Sequence, residues 1–219
     1  MTHAATRVSA PARTVVVERG GERPGRAGTG AFGAVVLFLA VRLAGAAAVA
    51  VAARAGGQDP LRLLGRSWDS RWYLGIAAHG YGRTLYWPDG TVQSDLAFFP
   101  LYPALIRVTT SVLPLTGTWA GLLVSWTAAA VAAWGIHAVA LRLHGRAVAR
   151  TLVVLWGLLP HSVVLSMAYT EPVLTACAAW ALYAVLTGRW AAAGALAALA
   201  GAARPNGLAV VAAVLAAAA

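Results

Sequence analysis

The chain has no lysine; all 17 of its basic residues are arginine. Acids are fewer still, with seven Asp and Glu in total. Charged residues make up 11% of the sequence, against about 25% in soluble domains, which excludes an ordinary water-soluble fold. The single cysteine, Cys177, lies in an apolar run, so a disulfide framework is excluded. No His/Cys spacing suited to a metal, no G-x-S-x-G and no P-loop is present. Met1–Gly30 has no apolar core, which excludes a secretory signal peptide there. Missing lysine beside abundant Ala and Gly reads as the coding bias of a GC-rich bacterial genome and carries no function.

What is present is apolar. Hydrophobic residues make up 60% of the chain and the mean hydropathy is +0.70. The expected fold is all-α, a polytopic transmembrane helical protein of the cell membrane. The net charge of +10 does not indicate nucleic acid. Much of the basic charge sits in the N-terminal tail and in short loops between apolar spans, the placement that sets orientation across a bilayer.

A span takes about 20 apolar residues. The candidates are Ala31–Ala53, interrupted by Arg42, then Trp119–Leu141, Ala147–Ala168 and the short Pro172–Leu186. An Ala-rich run follows from Trp190 to the end, broken at Arg204-Pro205-Asn206-Gly207. The small residues suit close helix packing. Arg42 either lines a site or snorkels to the interface. Phe98–Leu115 is also apolar, but Pro100, Pro103, Arg107 and Pro114 interrupt it, and a proline inside a helix costs about 3 kcal/mol. It reads as a short amphipathic helix lying on the membrane surface. Leu61–Ala78 has helical apolar spacing and reads the same way.

With that segment excluded from the spans, orientation is consistent. The tail arginines Arg13, Arg19, Arg23 and Arg26 fall on the cytoplasmic side, as do Arg142, Arg146, Arg150 and Arg189. The expected organisation is a disordered, Arg-rich cytoplasmic tail over 1–30 and a membrane domain over 31–219, with an outer loop over 56–117. That loop carries Arg62, Arg66, Arg71 and Arg83, which the positive-inside rule does not favour; the rule weakens for long loops.

Under this topology Asp59, Asp69, Asp89, Asp95 and Glu171 share the outer side, and the only other acids, Glu18 and Glu22, are in the tail. Such one-sided clustering indicates an outward-facing site. Asp69, in Trp68-Asp69-Ser70-Arg71-Trp72-Tyr73, is the leading candidate. A carboxylate desolvated among aromatics holds its proton more tightly, which suits a general base. The aromatics can stack on a sugar face or anchor the helix at the interface; alternatively Asp69 only pairs with Arg66 or Arg71.

Asp95 either orients an acceptor, joins Asp69 around a divalent cation, or caps the following helix. Asp89, in Trp87-Pro88-Asp89-Gly90, is simplest as a turn. Glu171, in Tyr169-Thr170-Glu171-Pro172, is a site residue or a helix cap. Arg204, at a helix break, is a phosphate ligand or a loop anchor. His79 and His161 read more readily as structural than as contacts.

The stretches WDSRWYLGIAAHGYG, DLAFFPLYPALIR, LLPHSVVLSMAYTEP and AARPNG occur in the order and rough spacing of the PIG-V-like mannosyltransferases. The chain resembles that family from Ala31 to Gly207. The resemblance implies a GT-C fold and an enzyme that takes sugar from a polyprenyl-phosphate donor. It places the catalytic acid of the first outer loop on Asp69. The tyrosine-glutamate motif falls on Tyr169 and Glu171, and the arginine-proline-glycine motif on Arg204, Pro205 and Gly207. Trp68, Arg71, Tyr73 and Asp95 join them as expected substrate contacts. It implies inverting transfer of a mannose to a glycolipid, glycan or protein acceptor. No cofactor is required with certainty; Asp69 and Asp95 are the pair that could hold a divalent cation. Family members continue for several more spans, so the chain reads as a C-terminally truncated fragment. A transporter or flippase of lipid-linked sugars, or a non-catalytic membrane protein, is the competing reading.

Overall fold

The computed structural model describes residues 24–219 of the chain. It is 78% helical, an all-α architecture as expected. The expected disordered tail lies mostly outside the described residues; the first helix, α1 (Pro24–Ala55), already starts within its last residues. Among the described residues, two helices are long and apolar enough to cross a bilayer: Gly30–Ala55 of α1, and α5 (Gly117–His144). At 1.5 Å per residue each is about 40 Å long.

The third expected span is not straight. Helix α6 (Arg146–Leu158) gives way to a 3-10 turn over Pro160–Ser166, bent by 84° from it. Pro160 supplies no amide to the helix, and the residue before it is pushed out of helical geometry; Leu159 has φ −55° and ψ 143°. The remaining apolar helices are short: α7 (Glu171–Leu186), α8 (Trp190–Ala203) and α9 (Gly207–Ala218). Helix α9 doubles back along α8, where a Cβ on Gly207 would overlap the Ala200 carbonyl. Val214 then packs with Ala193 and Ala197.

Between α1 and α5 lie α2 (Pro60–Arg66), α3 (Ser70–His79), an antiparallel hairpin of β1 (Thr84–Tyr86) and β2 (Val92–Ser94), and α4 (Leu101–Val112). Leu61–Ala78 is thus two helices rather than one. The chain breaks at Trp68, which has φ +48°, a backbone conformation costly for a bulky residue. Helix α4 is the expected short amphipathic helix, burying Tyr102, Pro103 and Ile106 on one face.

Helix α5 is the central post. Helices α1 and α6 run against it and α7 runs beside it, with α7 close enough that a Cβ on Gly135 would sit 2.9 Å from the Ala179 Cβ. Arg42 neither lines a site nor reaches the interface. It is 6% exposed. Its Nε and Nη2 donate to Ser166 Oγ at 3.2 and 2.8 Å, and Nη1 donates to the Gly157 carbonyl at 2.9 Å. It therefore fastens α1 to the two sides of the α6 bend. Spending a buried cation on those oxygens offsets part of its desolvation.

Candidate active site

The helix termini at one end of the bundle converge on the segment Met167–Glu171. The Ala168 amide donates to the Leu64 carbonyl at 2.9 Å, tying α2 to this segment. Thr170 Oγ1 donates to the Ala203 carbonyl at 3.4 Å, tying the start of α7 to the end of α8. The opposite end carries Arg142 and Arg146 at the α5–α6 junction and Arg189 at the α7–α8 junction.

Asp69 stands at the break between α2 and α3. Its backbone amide donates to the Tyr169 phenol oxygen at 3.3 Å, and its carbonyl accepts from the amides of Trp72 and Tyr73 at 3.0 and 3.2 Å. The carboxylate does not cap α3. It makes neither an ion pair nor a hydrogen bond among the described residues. Arg71 does not take it; its Nε donates instead to the Arg66 carbonyl at 3.0 Å. A half-buried carboxylate with no assigned partner is free to act on a ligand.

Glu171 Oε1 is paired with Arg204 Nη1, across the turn between α8 and α9. Glu171 Oε2 is buried and has no partner among the described residues, as is Ser70 Oγ beside Asp69. Burial pushes the Tyr169 phenol up to about 12; the Asp69 amide and Arg204 pull the other way, while the Asp69 and Glu171 charges reinforce the rise. The Tyr73 phenol is raised too, first by burial, with Arg204 opposing and Asp69 and Glu171 adding. Both phenols thus stay protonated donors within the field of the same three charges. The sequence-predicted residues Asp69, Tyr73, Tyr169, Glu171 and Arg204, spread over more than half the chain, form one cluster.

The two motifs of the segment between α1 and α5 meet through aromatic rings. Trp72 stacks on Phe98 with centroids 5.5 Å apart, and Tyr73 meets Phe98 and Tyr102 edge-on at 5.2 and 5.1 Å. The Arg83 guanidinium lies over Trp72 at 5.5 Å. Behind them Ser125, fully buried in α5, was not anticipated. Its Oγ contacts the Tyr102 hydroxyl at 2.7 Å, donates to the Tyr169 carbonyl at 2.7 Å and accepts the Tyr169 amide at 3.2 Å. A lone serine in an apolar span was the one signal that could have revealed it.

Asp95 sits elsewhere. It is 2% exposed, and its oxygens accept from the Gly82 amide at 3.0 and 3.2 Å and the Arg83 amide at 2.8 Å. Ser94, not Asp95, caps the following turn. Asp95 thus holds the base of the hairpin. No group of three or more possible metal ligands occurs among the described residues, so Asp69 and Asp95 belong to no such cluster. Asp89 forms the expected turn, accepting the Thr91 amide at 2.9 Å. His79 and His161 are exposed, outside the cluster.

A cleft of about 440 Å³ opens beside Asp69, between the α2–α3 break and the hairpin. Trp68, Trp72 and Trp87 wall it, with Arg71, Arg83 and Gln93 among its polar groups. Flat indole faces and planar donors can hold a sugar ring against a carboxylate. The family model described as "Mannosyltransferase (PIG-V)" matches residues 58–218, which include every residue of this cluster. No curated protein and no solved structure matches the chain.

Proposed function

The chain belongs to the Mannosyltransferase (PIG-V) family and is a membrane-associated glycosyltransferase; on that premise we propose that it moves a mannose from a polyprenyl-phosphate donor to an acceptor hydroxyl on the extracytoplasmic face, with Asp69 as base. Asp69 takes the proton of the acceptor hydroxyl. The acceptor oxygen attacks the anomeric carbon from the face opposite the phosphate. The bond from that carbon to the phosphate oxygen breaks, its electron pair leaves with the polyprenyl phosphate, and the sugar inverts. Arg71, unpaired with any acid, stabilises the charge growing on the phosphate, where fixed cations act most strongly. Arg204, held by Glu171, adds to the same field.

The observation that carries this reading is the Asp69 carboxylate, unpartnered and facing an aromatic cleft at the end of the bundle away from the Arg142–Arg150 cluster. By the positive-inside rule that arginine-rich end is cytoplasmic, so the chain is multi-pass with its N-terminus inside and its site outside. The domain is 31–219, with 56–117 forming the outer wall of the site. A transporter would hold its charged residues near mid-span. The mid-span cation Arg42 is instead spent on Ser166 and Gly157, and the free carboxylate lies at helix ends, which favours the enzyme.

The test is Asp69→Asn in the membrane-embedded protein, assayed for mannose transfer from a polyprenyl-phosphate donor. Because the carboxylate makes no bond in the fold, the variant should insert and melt as the parent does while transfer falls by at least about 10³. Transfer within about tenfold of the parent would sink the assignment of Asp69 as base.

A further inference from the structure

We propose that Arg62, Arg66, Arg71 and Arg83 form the seat of the donor's phosphate and that the apolar groove beside them takes the first isoprene units of its chain. The proposal rests on the reading of the donor as a polyprenyl phosphate and assigns where it lies. Four of the five arginines between Gly56 and Gly117 line a single pocket of about 960 Å³, together with His79, Asp59 and Trp119. Arginines on the outer side run against the positive-inside rule; their gathering at one pocket gives them a common purpose. None of the four makes an ion pair with a carboxylate among the described residues. The one acid of the pocket, Asp59, is spent capping α2, accepting the Leu61 and Arg62 amides at 3.1 and 3.2 Å. The pocket is therefore a net cationic site, and guanidinium forks match a phosphate's oxygens.

The arginine pocket has a neighbour on each side. On one it shares Asp59, Leu61 and Trp119 with a groove of about 820 Å³, whose further walls include Leu64, Leu122 and Trp126. That groove runs along the first turns of α5, from Trp119 to Trp126, on the end of the helix nearest the arginine pocket. On the other side Arg71 and Arg83 line both the arginine pocket and the Asp69 cleft. Apolar groove, cationic pocket and aromatic cleft thus follow one another. A molecule built as hydrocarbon chain, phosphate and sugar, in that order, matches the sequence of surfaces. A phospholipid matches the first two and has nothing for the third. Arg204, engaged by Glu171, lies outside both the pocket and the groove and is not the seat of the phosphate.

The experiment is isothermal titration of the full chain, reconstituted in neutral-lipid nanodiscs, with farnesyl phosphate as a sugar-free probe. Farnesyl phosphate should bind at least about tenfold more tightly than farnesol or inorganic phosphate, since each supplies only one half of the recognition. The exposed pair R62Q/R66Q should weaken farnesyl phosphate about tenfold, and R62K/R66K should recover only part of the loss, because an ammonium restores the charge without the fork. Leu122→Trp, which fills the groove, should weaken farnesyl phosphate and leave inorganic phosphate unchanged. Binding by R62Q/R66Q within about twofold of the parent overturns the seat. So does displacement of the probe by an equal amount of phosphatidylglycerol, which would reveal a general anionic-lipid patch. Asp69→Asn separates this proposal from the catalytic one, because it should bind the probe as the parent does. Arginine variants that bind poorly beside a fully active Asp69→Asn would refute the base and uphold the seat.

Discussion

The Tyr169 phenol accepts the backbone amide of Asp69 at 3.3 Å, joining residues 100 positions apart in the chain. The bond holds the proposed base by its main chain and leaves the carboxylate untouched. It also leaves the phenol's own proton free to donate. Tyr169→Phe removes this acceptor while keeping the ring. A single neutral hydrogen bond contributes about 1 kcal/mol, so melting should barely move. Transfer should fall about 10–100-fold, because small displacements of a base are costly to rate. A Tyr169→Phe enzyme with unchanged kcat would show that the phenol does not position Asp69.

Ser125 is where the loop, the span and the Tyr169 segment are joined. Its hydroxyl is the shared partner of the Tyr102 phenol and of both the amide and carbonyl of Tyr169. Ser125→Ala leaves those groups buried without it, and each unsatisfied group costs about 1–3 kcal/mol. The Tyr102 phenol retains the Gly121 carbonyl at 2.9 Å and the Tyr169 amide retains the Met167 carbonyl at 2.9 Å, so the main loss is at the Tyr169 carbonyl and should total about 2 kcal/mol. Steric-trap or denaturant unfolding would measure it, with a parallel fall in transfer. Equal stability in Ser125→Ala would mean that water replaces the hydroxyl without loss.

The two long spans were legible because about 20 apolar residues with few charges admit little else. The bend after α6 was not, although Pro160 marks it: the apolar run continues through Pro160 to Ala168, and hydropathy is blind to direction. The hairpin escaped notice because its strands are three residues each, too short for alternation to register. In the site, Asp69, Glu171 and Arg204 were legible as charged residues at apolar-run boundaries, and Tyr169 only through the family resemblance. Asp95 had the same signature, yet its oxygens go to the Gly82 and Arg83 amides. The chemistry of a carboxylate is in the sequence; which donors reach it is decided by the turn at Gly82.

The Glu171–Arg204 pair fixes the α8–α9 turn against the start of α7, with side chains 30% and 28% exposed. Removing one partner leaves the other half-desolvated and uncompensated. A double-mutant cycle over Glu171→Gln and Arg204→Gln should therefore give a coupling of about 1–2 kcal/mol, between exposed and buried pairs. Each single variant should also lower transfer, because Tyr169 sits in the field of both charges. A coupling near zero would mean that solvent screens the pair and that packing and backbone bonds hold the turn without it.

The raised phenols predict an alkaline limit for the fold. Burial lifts Tyr73 and Tyr169 above the ordinary value of 10.0, Tyr169 to about 12. A tyrosine of the unfolded chain then loses its proton first, and ionisation favours unfolding. The stabilising share of these phenols is full below pH 10.0 and is lost as pH rises through about 12 for Tyr169. Tyr102, buried against Ser125, shifts in the same direction. Circular dichroism of the reconstituted chain should show helix content flat from pH 7 to 10 and falling above it. Tyr169→Phe carries no ionisable phenol at that position, so its alkaline decline should be shallower than the parent's while its neutral-pH stability is nearly the same. An identical alkaline limb in the two proteins would mean that the Tyr169 phenol is solvated in the membrane-bound state, and the hydrogen bond from the Asp69 amide would lose its dry surroundings with it.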